Sequence, residues 1–331
     1  MSELPWPVGV ATGIGSLPGT DIGEAIKTVL GELPDFPYLP ELPARGPGAD
    51  MIGRSAGLLQ ELPVELYAAR WRIASRRGAD ARRIADFQAR DLDTLTEQAA
   101  DYHGIFKIQS AGPWTLATNL ELRTGGPMLR DPGAVRDLTA SLAEGLHRHV
   151  RELTARLPGA RLVLQLDEAS LPAVLAGQVP TESGFSTLAA VPENTAIDAL
   201  RTVVDAVGVP VIVHCCAPEV PFGVIQSAGA IGVAIDLDLL ADLDPLGEVI
   251  DAGLGLLAGA VPTRGRPAAA PAAEEVADRI RRLWKRLSFP EERLAQQVVV
   301  TQACGLAGAA PDYVRAALAA SRDAGRQLAA G

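Results

Sequence analysis

The chain has 331 residues, 48% of them hydrophobic and 21% charged, enough apolar material for a sizeable core and too little polar bias for a disordered segment. Its formal net charge is −10, and with no basic stripe nothing marks it for nucleic acid. Three cysteines, Cys215, Cys216 and Cys304, exclude a disulfide scaffold; with only four histidines besides, both residue types are scarce enough for their positions to carry meaning.

The segment up to Gly15 has no Lys or Arg and no sustained apolar core, so it does not read as a signal peptide. No apolar run reaches the roughly 18 residues of a membrane span. The expectation is a cytoplasmic protein without membrane or nucleic-acid partners, in a compartment where adjacent free thiols stay reduced.

Short apolar or β-branched runs alternate with longer amphipathic stretches. Strands are predicted at 8–16, 36–42, 105–112, 162–168, 210–216, 230–236, 255–261 and 297–305. Helices are predicted at 21–33, 91–102, 134–157, 196–207, 219–228, 245–252, 273–287 and 312–329. The long connection 43–104 is expected to hold two or three helices, and 178–192 to form a surface lid. The stretch 262–272 reads as a Pro/Ala/Arg linker. Eight strand–helix units predict an α/β fold, a (β/α)8 TIM barrel forming one domain over 1–331, with elaborated connections at 43–104 and 178–192.

In such a barrel chemistry lies at the C-terminal strand ends. Six of the predicted ends carry polar residues suited to one site: Gly15-Ser16, Glu41, Asp167-Glu168, His214/Cys216, Asp236 and Cys304. Side chains alternate along a strand, so His214 and Cys216 share a face while Cys215 turns to the other. An imidazole and a thiolate two residues apart can grip one metal; Cys304 offers a third ligand and Asp236 a fourth, with Asp238 a rival on the same face. Nitrogen and thiolate donors favour zinc. Asp167 and Glu168 fall on opposite faces, and Asp167, which shares its face with Gln165, is the one expected to enter the mouth. Glu41 reads either as a turn residue or as a site acid, and His147 and His149 as the solvated face of a charged helix.

These residues resemble the zinc site of the cobalamin-independent methionine synthase family: His214-x-Cys216, an acid about twenty residues on, and Cys304-Gly305. Thr12-Gly13-Ile14-Gly15-Ser16-Leu17-Pro18, Glu41 with Asp50-Met51, Gly112-Pro113-Trp114-Thr115 and Gln165-Leu166-Asp167-Glu168 are similar to further segments of its catalytic half, in family order. The resemblance implies a catalytic barrel that moves a methyl group onto the thiol of homocysteine, the donor being 5-methyltetrahydrofolate or a methylated corrinoid protein. It implies Zn2+ held by His214, Cys216, Asp236 and Cys304. The acceptor carboxylate would be received by Ile14, Gly15 and Ser16, and its ammonium by Glu41 and Asp167, the two expected catalytic residues.

The chain departs from the family at two points. Asp236 stands where Glu is usual, and 259–264 lack the acid and His that assist the leaving group, which leaves the methyl donor open. Three other readings remain: another zinc–thiol alkyl-transfer enzyme of the superfamily, a non-catalytic zinc- or thiol-binding relative, or a metal-free uroporphyrinogen decarboxylase. The last would want arginines near the first strand end, whereas the first Arg is Arg45.

Overall fold

The structure, a computed structural model, describes residues 4–263 and 269–330. β1 (Val64–Tyr67) and β2 (Arg70–Ile73) form an antiparallel hairpin. β3 (Gly104–Ala111) opens the main sheet, and β4 (Leu120–Glu121) returns to pair with β2. β5 (Ala160–Asp167), β6 (Val211–Cys215), β7 (Gly232–Asp236), β8 (Gly255–Val261) and β9 (Val298–Gln302) follow, so that the main sheet has the parallel order β3-β5-β6-β7-β8-β9. Helices α1 (Ile22–Glu32), α2 (Met51–Leu58) and α3 (Ala79–Ala99) precede it. α4 (Pro113–Asn119), α5 (Pro132–Arg156), α6 (Leu171–Leu175) and α7 (Glu193–Val207) flank β5. α8 (Phe222–Ser227), α9 (Asp244–Asp251), α10 (Ala273–Arg286), α11 (Glu291–Gln297) and α12 (Pro311–Ala329) complete the alternation.

The central strands are apolar runs buried on both faces, as parallel strands covered by helices require; every residue of β6, β7, β8 and β9 is buried. The sheet curls around its own interior. Ile105, Val163, Ile212, Ala234, Leu257 and Val299, one from each strand, meet in an inner cluster with Val10, Phe36 and Trp6. A much larger cluster fills the space between sheet and helices.

The architecture is thus a curled parallel half-barrel, and the expected closed ladder of eight strands is corrected at two places. Segments 8–16 and 36–42 contribute only isolated parallel bridges, Ala11 to Val300, Ser16 to Glu41 and Tyr38 to Lys107. Pro37 and Pro40 have no N–H to give a ladder, and Gly9, Gly13 and Gly15 offer no side chain to pack in a strand.

The connection 43–104 holds α2 and α3 and, beyond expectation, the β1–β2 hairpin. α3 begins at Ala79, twelve residues before the predicted 91. The loop 178–192 folds back on itself through a bridge between Pro180 and Thr187. The linker 262–272 lies partly outside the described residues. His147 and His149 are only partly exposed; the His147 ring bonds the Ala206 carbonyl oxygen at 2.9 Å, because α5 packs that face against α7. Among the described residues no helix is long and apolar enough to cross a membrane.

Candidate metal centre

β5 and β6 are neighbours, and their register sets Asp167 beside His214. His214 Nδ1 lies 2.8 Å from Asp167 Oδ1. An ionised carboxylate only accepts, so Nδ1 carries the proton and the opposite nitrogen is turned toward the sulfurs. Nε2 is buried and has no hydrogen-bond partner among the described residues. Cys216 follows the end of β6 on the same face, and its Sγ lies 3.0 Å from Sγ of Cys304, just past β9. The ligand atoms of His214, Cys216 and Cys304 all fall within 4.8 Å of one another, an arrangement that could hold a metal ion.

The electrostatics of this cluster favour a cation. Burial alone would lower the His214 pKa, but the hydrogen bond to Asp167 and the nearby Cys304 sulfur outweigh it and raise it to about 9. The Cys304 thiol is held well below its ordinary range, first by a hydrogen bond from Cys216 and then by His214, while Cys216, as the donor, is pushed up. A lowered thiol beside a buried imidazole nitrogen is a donor set that a metal cation suits. Cys215 points away, fully buried, and burial pushes its thiol up to about 12.

The loop of Ile14, Gly15 and Ser16 runs beside this cluster. Leu17 N donates to the Glu41 carbonyl at 2.8 Å, Glu41 N to the Gly15 carbonyl at 3.1 Å, and Leu306 N to the Ser16 carbonyl at 2.8 Å. Gly305 leaves no room for a side chain: a Cβ there would sit 2.1 Å from Ser16 Oγ. That close approach explains the Cys304-Gly305 pair and brings the loop against the sulfur that precedes it. Glu41 is 4% exposed, with Oε1 3.2 Å from Gln109 Nε2 and 3.8 Å from Arg54 Nε. Burial raises its pKa; Arg54 opposes that rise and the Asp167 charge adds to it. Glu41 Oε2 and Asp167 Oδ2 accept no hydrogen bond from the described residues.

Glu168 faces the other way, as the alternation required. Its carboxylate accepts from Trp114 N at 3.0 Å, Thr115 N at 2.7 Å and Thr115 Oγ1 at 2.9 Å, filling the N-terminus of α4. Gly112-Pro113-Trp114-Thr115 follows from that contact. A Cβ at Gly112 would lie 2.4 Å from the carboxylate, and Pro113 at the first helical position gives up an N–H that needs no partner. Asp50, in the Asp50-Met51 segment, likewise caps α2 by accepting from Gly53 N at 2.8 Å.

Asp236 ends β7, is 4% exposed, and accepts from Asp238 N at 2.9 Å; the three-residue metal group does not include it. Asp238 turns outward and pairs with Arg279 at 2.6 Å. Three residues near the site are not marked out by the sequence. Arg54 and Gln109 flank Glu41, and Lys107 lies fully buried beneath the Ile14 carbonyl. Only Lys107 leaves a signal, as the lone charge within Ile105-Phe106-Lys107-Ile108. Beside the site, a groove of about 870 Å³ lies between Trp71 and Asp50 on one side and Asn119, Ser170 and Gln178 on the other.

The chain is similar in fold to a B12-independent methionine synthase from Shewanella sp. W3-18-1, solved in complex with selenomethionine. The TM-score is 0.65 at 14% identity, over 97% of this chain and 98% of that one. A GH113 beta-mannanase from Alicyclobacillus acidocaldarius superposes at a TM-score of 0.46 and 13% identity, over 98% and 96% of the two chains, too weakly to bear on function. No curated protein matches the chain. The model of the cobalamin-independent synthase family, catalytic domain, matches residues 9–327. The chain therefore belongs to the cobalamin-independent synthase family, whose chemistry is the transfer of a methyl group to the thiol of homocysteine.

Proposed function

We propose that the chain acts as one catalytic unit, a zinc-dependent S-methyltransferase that holds its metal with His214, Cys216 and Cys304. The observation that carries this reading is a buried imidazole nitrogen without a partner, aimed at two sulfurs whose ligand atoms lie within 4.8 Å of it. Zinc supplies a centre that keeps the acceptor thiol ionised near neutral pH. Three protein ligands leave a position for that thiol, as a catalytic site needs and a structural one does not.

The protein's own residues do the rest. Asp167 fixes the His214 ring by accepting from Nδ1. Glu41 and Asp167 are two buried acids close together, the Asp167 charge adding to the cost of ionising Glu41, and the acceptor ammonium meets the resulting demand for a cation. The backbone N–H groups of Gly15 and Ser16, with the Ser16 hydroxyl, receive its carboxylate. The donor, 5-methyltetrahydrofolate or a methylated corrinoid, approaches over the groove beside Trp71 and Asn119. Residues 259–263 hold no acid or His to assist the leaving group.

Metal analysis tests the reading. About one zinc per chain is expected, with methionine formed from homocysteine and one of the two donors. Zinc retained in the Cys216→Ala/Cys304→Ala double variant, or zinc and homocysteine bound with no transfer from either donor, would overturn it. Asp236→Ala is expected to keep its zinc, since Asp236 caps the turn at Asp238; its loss would place Asp236 among the ligands.

A further inference from the structure

Lys107 stands in the middle of β3, fully buried, and no ion pair is formed by it among the described residues. An ammonium group in that position is costly unless it is put to use. Its Nζ donates to the Ile14 carbonyl at 3.0 Å, lies 3.4 Å from Gln109 Oε1, and sits 5.1 Å from the centre of the Tyr38 ring. The same Ile14 carbonyl accepts a second hydrogen bond, from Gln165 Nε2 at 2.8 Å. Gln165 Nε2 also donates to Asp167 Oδ1 at 2.7 Å, the oxygen that accepts from His214. A continuous hydrogen-bonded path thus runs from Lys107 through Ile14, Gln165 and Asp167 to His214.

The consequence lies in the peptide that follows. No peptide bond among the described residues is cis, so the C=O of Ile14 and the N–H of Gly15 point in opposite directions across one plane. Two donors fill both lone pairs of the carbonyl and draw it toward the sheet interior. The Gly15 N–H must then face the mouth. Neither it nor the Ser16 N–H donates to any described residue, although almost every other buried donor of a folded chain is paired.

We propose that Lys107 and Gln165 are positioning residues for the acceptor's carboxylate: by pinning the Ile14 carbonyl inward they hold the Gly15 N–H outward as its receptor, beside the Ser16 N–H, whose own peptide is fixed by the bond from Glu41 N to the Gly15 carbonyl. The inference rests on the proposed acceptor and goes beyond it in naming the two interior side chains that select an amino acid over a simple thiol.

Calorimetric binding of two thiols to the zinc-loaded protein tests it, using homocysteine and 3-aminopropane-1-thiol, which lacks only the carboxylate. The wild-type protein is expected to prefer homocysteine. In Lys107→Met and Gln165→Met that preference, the ratio of the two affinities, falls about tenfold each, the worth of one charge-assisted hydrogen bond; because Gln165 also donates to Asp167 Oδ1, Gln165→Met is expected to show in addition a loss common to both thiols, which leaves the ratio untouched. Lys107→Met is the variant at greater risk of misfolding, so Gln165→Met is decisive by itself. An undiminished preference in Gln165→Met overturns the inference, and so does an equal weakening of both thiols. If the wild-type protein binds neither thiol, the acceptor reading itself fails, an outcome distinct from either of these.

Discussion

Asp167 Oδ1 accepts from His214 Nδ1 at 2.8 Å and from Gln165 Nε2 at 2.7 Å, so one carboxylate oxygen serves the metal-binding side and the acceptor side of the site together. Asp167→Asn is expected to weaken zinc binding about 10- to 100-fold, as loss of such a support to a ligating imidazole does. It should also raise KM for homocysteine, because a neutral amide no longer attracts an ammonium. Competition with a chromophoric chelator, alongside steady-state kinetics, checks both. Full zinc affinity with a normal KM would remove Asp167 from either role.

Gly305→Ala probes the wall between the sulfur and the acceptor loop. The added methyl would fall 2.1 Å from Ser16 Oγ, so the hydroxyl must turn away or the loop must give way. KM for homocysteine is expected to rise at least about tenfold, with overpacking costing about 1–3 kcal/mol of stability. Zinc content should remain near one per chain, since Cys304 itself is untouched. Unchanged kinetics would show that Ser16 does not meet the substrate.

Asp91 holds two guanidinium groups at once. Its oxygens lie 2.6 and 2.8 Å from Arg45 and 2.6 Å from Arg54, with the carboxylate 1% exposed. Arg54 in turn stands 3.8 Å from Glu41. Asp91→Ala leaves two buried cations without their common partner, and the expected loss is about 3–5 kcal/mol by denaturant unfolding. A loss under about 1 kcal/mol would mean that both arginines find water or new acceptors.

His149 sets part of the acid limb of stability. Its ring lines a small cavity with Arg54, Ser55 and Gln109. Burial, helped by the Arg54 charge, pushes it down from 6.5 to about 4. The folded chain therefore binds this proton less tightly than the unfolded chain. The resulting stabilisation is intact above about pH 6.5 and is lost as the pH falls to about 4, by at most about 3 kcal/mol. His149→Gln should flatten the decline in urea-unfolding stability over that window. An acid limb identical to that of the wild-type protein would assign the proton uptake elsewhere.

Much of the fold and of the site is readable from the chain, for physical reasons that can be named. β5 to β9 are short apolar runs, all but β8 with polar or thiol residues at or just past their ends, and two-residue alternation is enough to separate His214 and Cys216 from Cys215 and Asp167 from Glu168. The β1–β2 hairpin is not readable. Its turn residues, Ala68 and Ala69, have φ of 47° and 64°, a conformation that usually announces itself with Gly or Asn. His147 and His149 sit among arginines, and only the tertiary packing of α5 withdraws them from solvent. Arg54 on α2 and Gln109 on β3 reach Glu41 from segments far from it in sequence, so no local spacing reveals them, and Lys107 announces itself only as a lone charge in an apolar strand.

The orientation of Cys215 has a practical bearing. With its sulfur sealed behind the sheet, the folded protein presents two thiols to a reagent rather than three. Those two are the pair a metal would mask. Counting modified sulfhydryls thus becomes a gauge of occupancy, in which a reading of none means loaded, two means stripped, and three means that the chain has come apart.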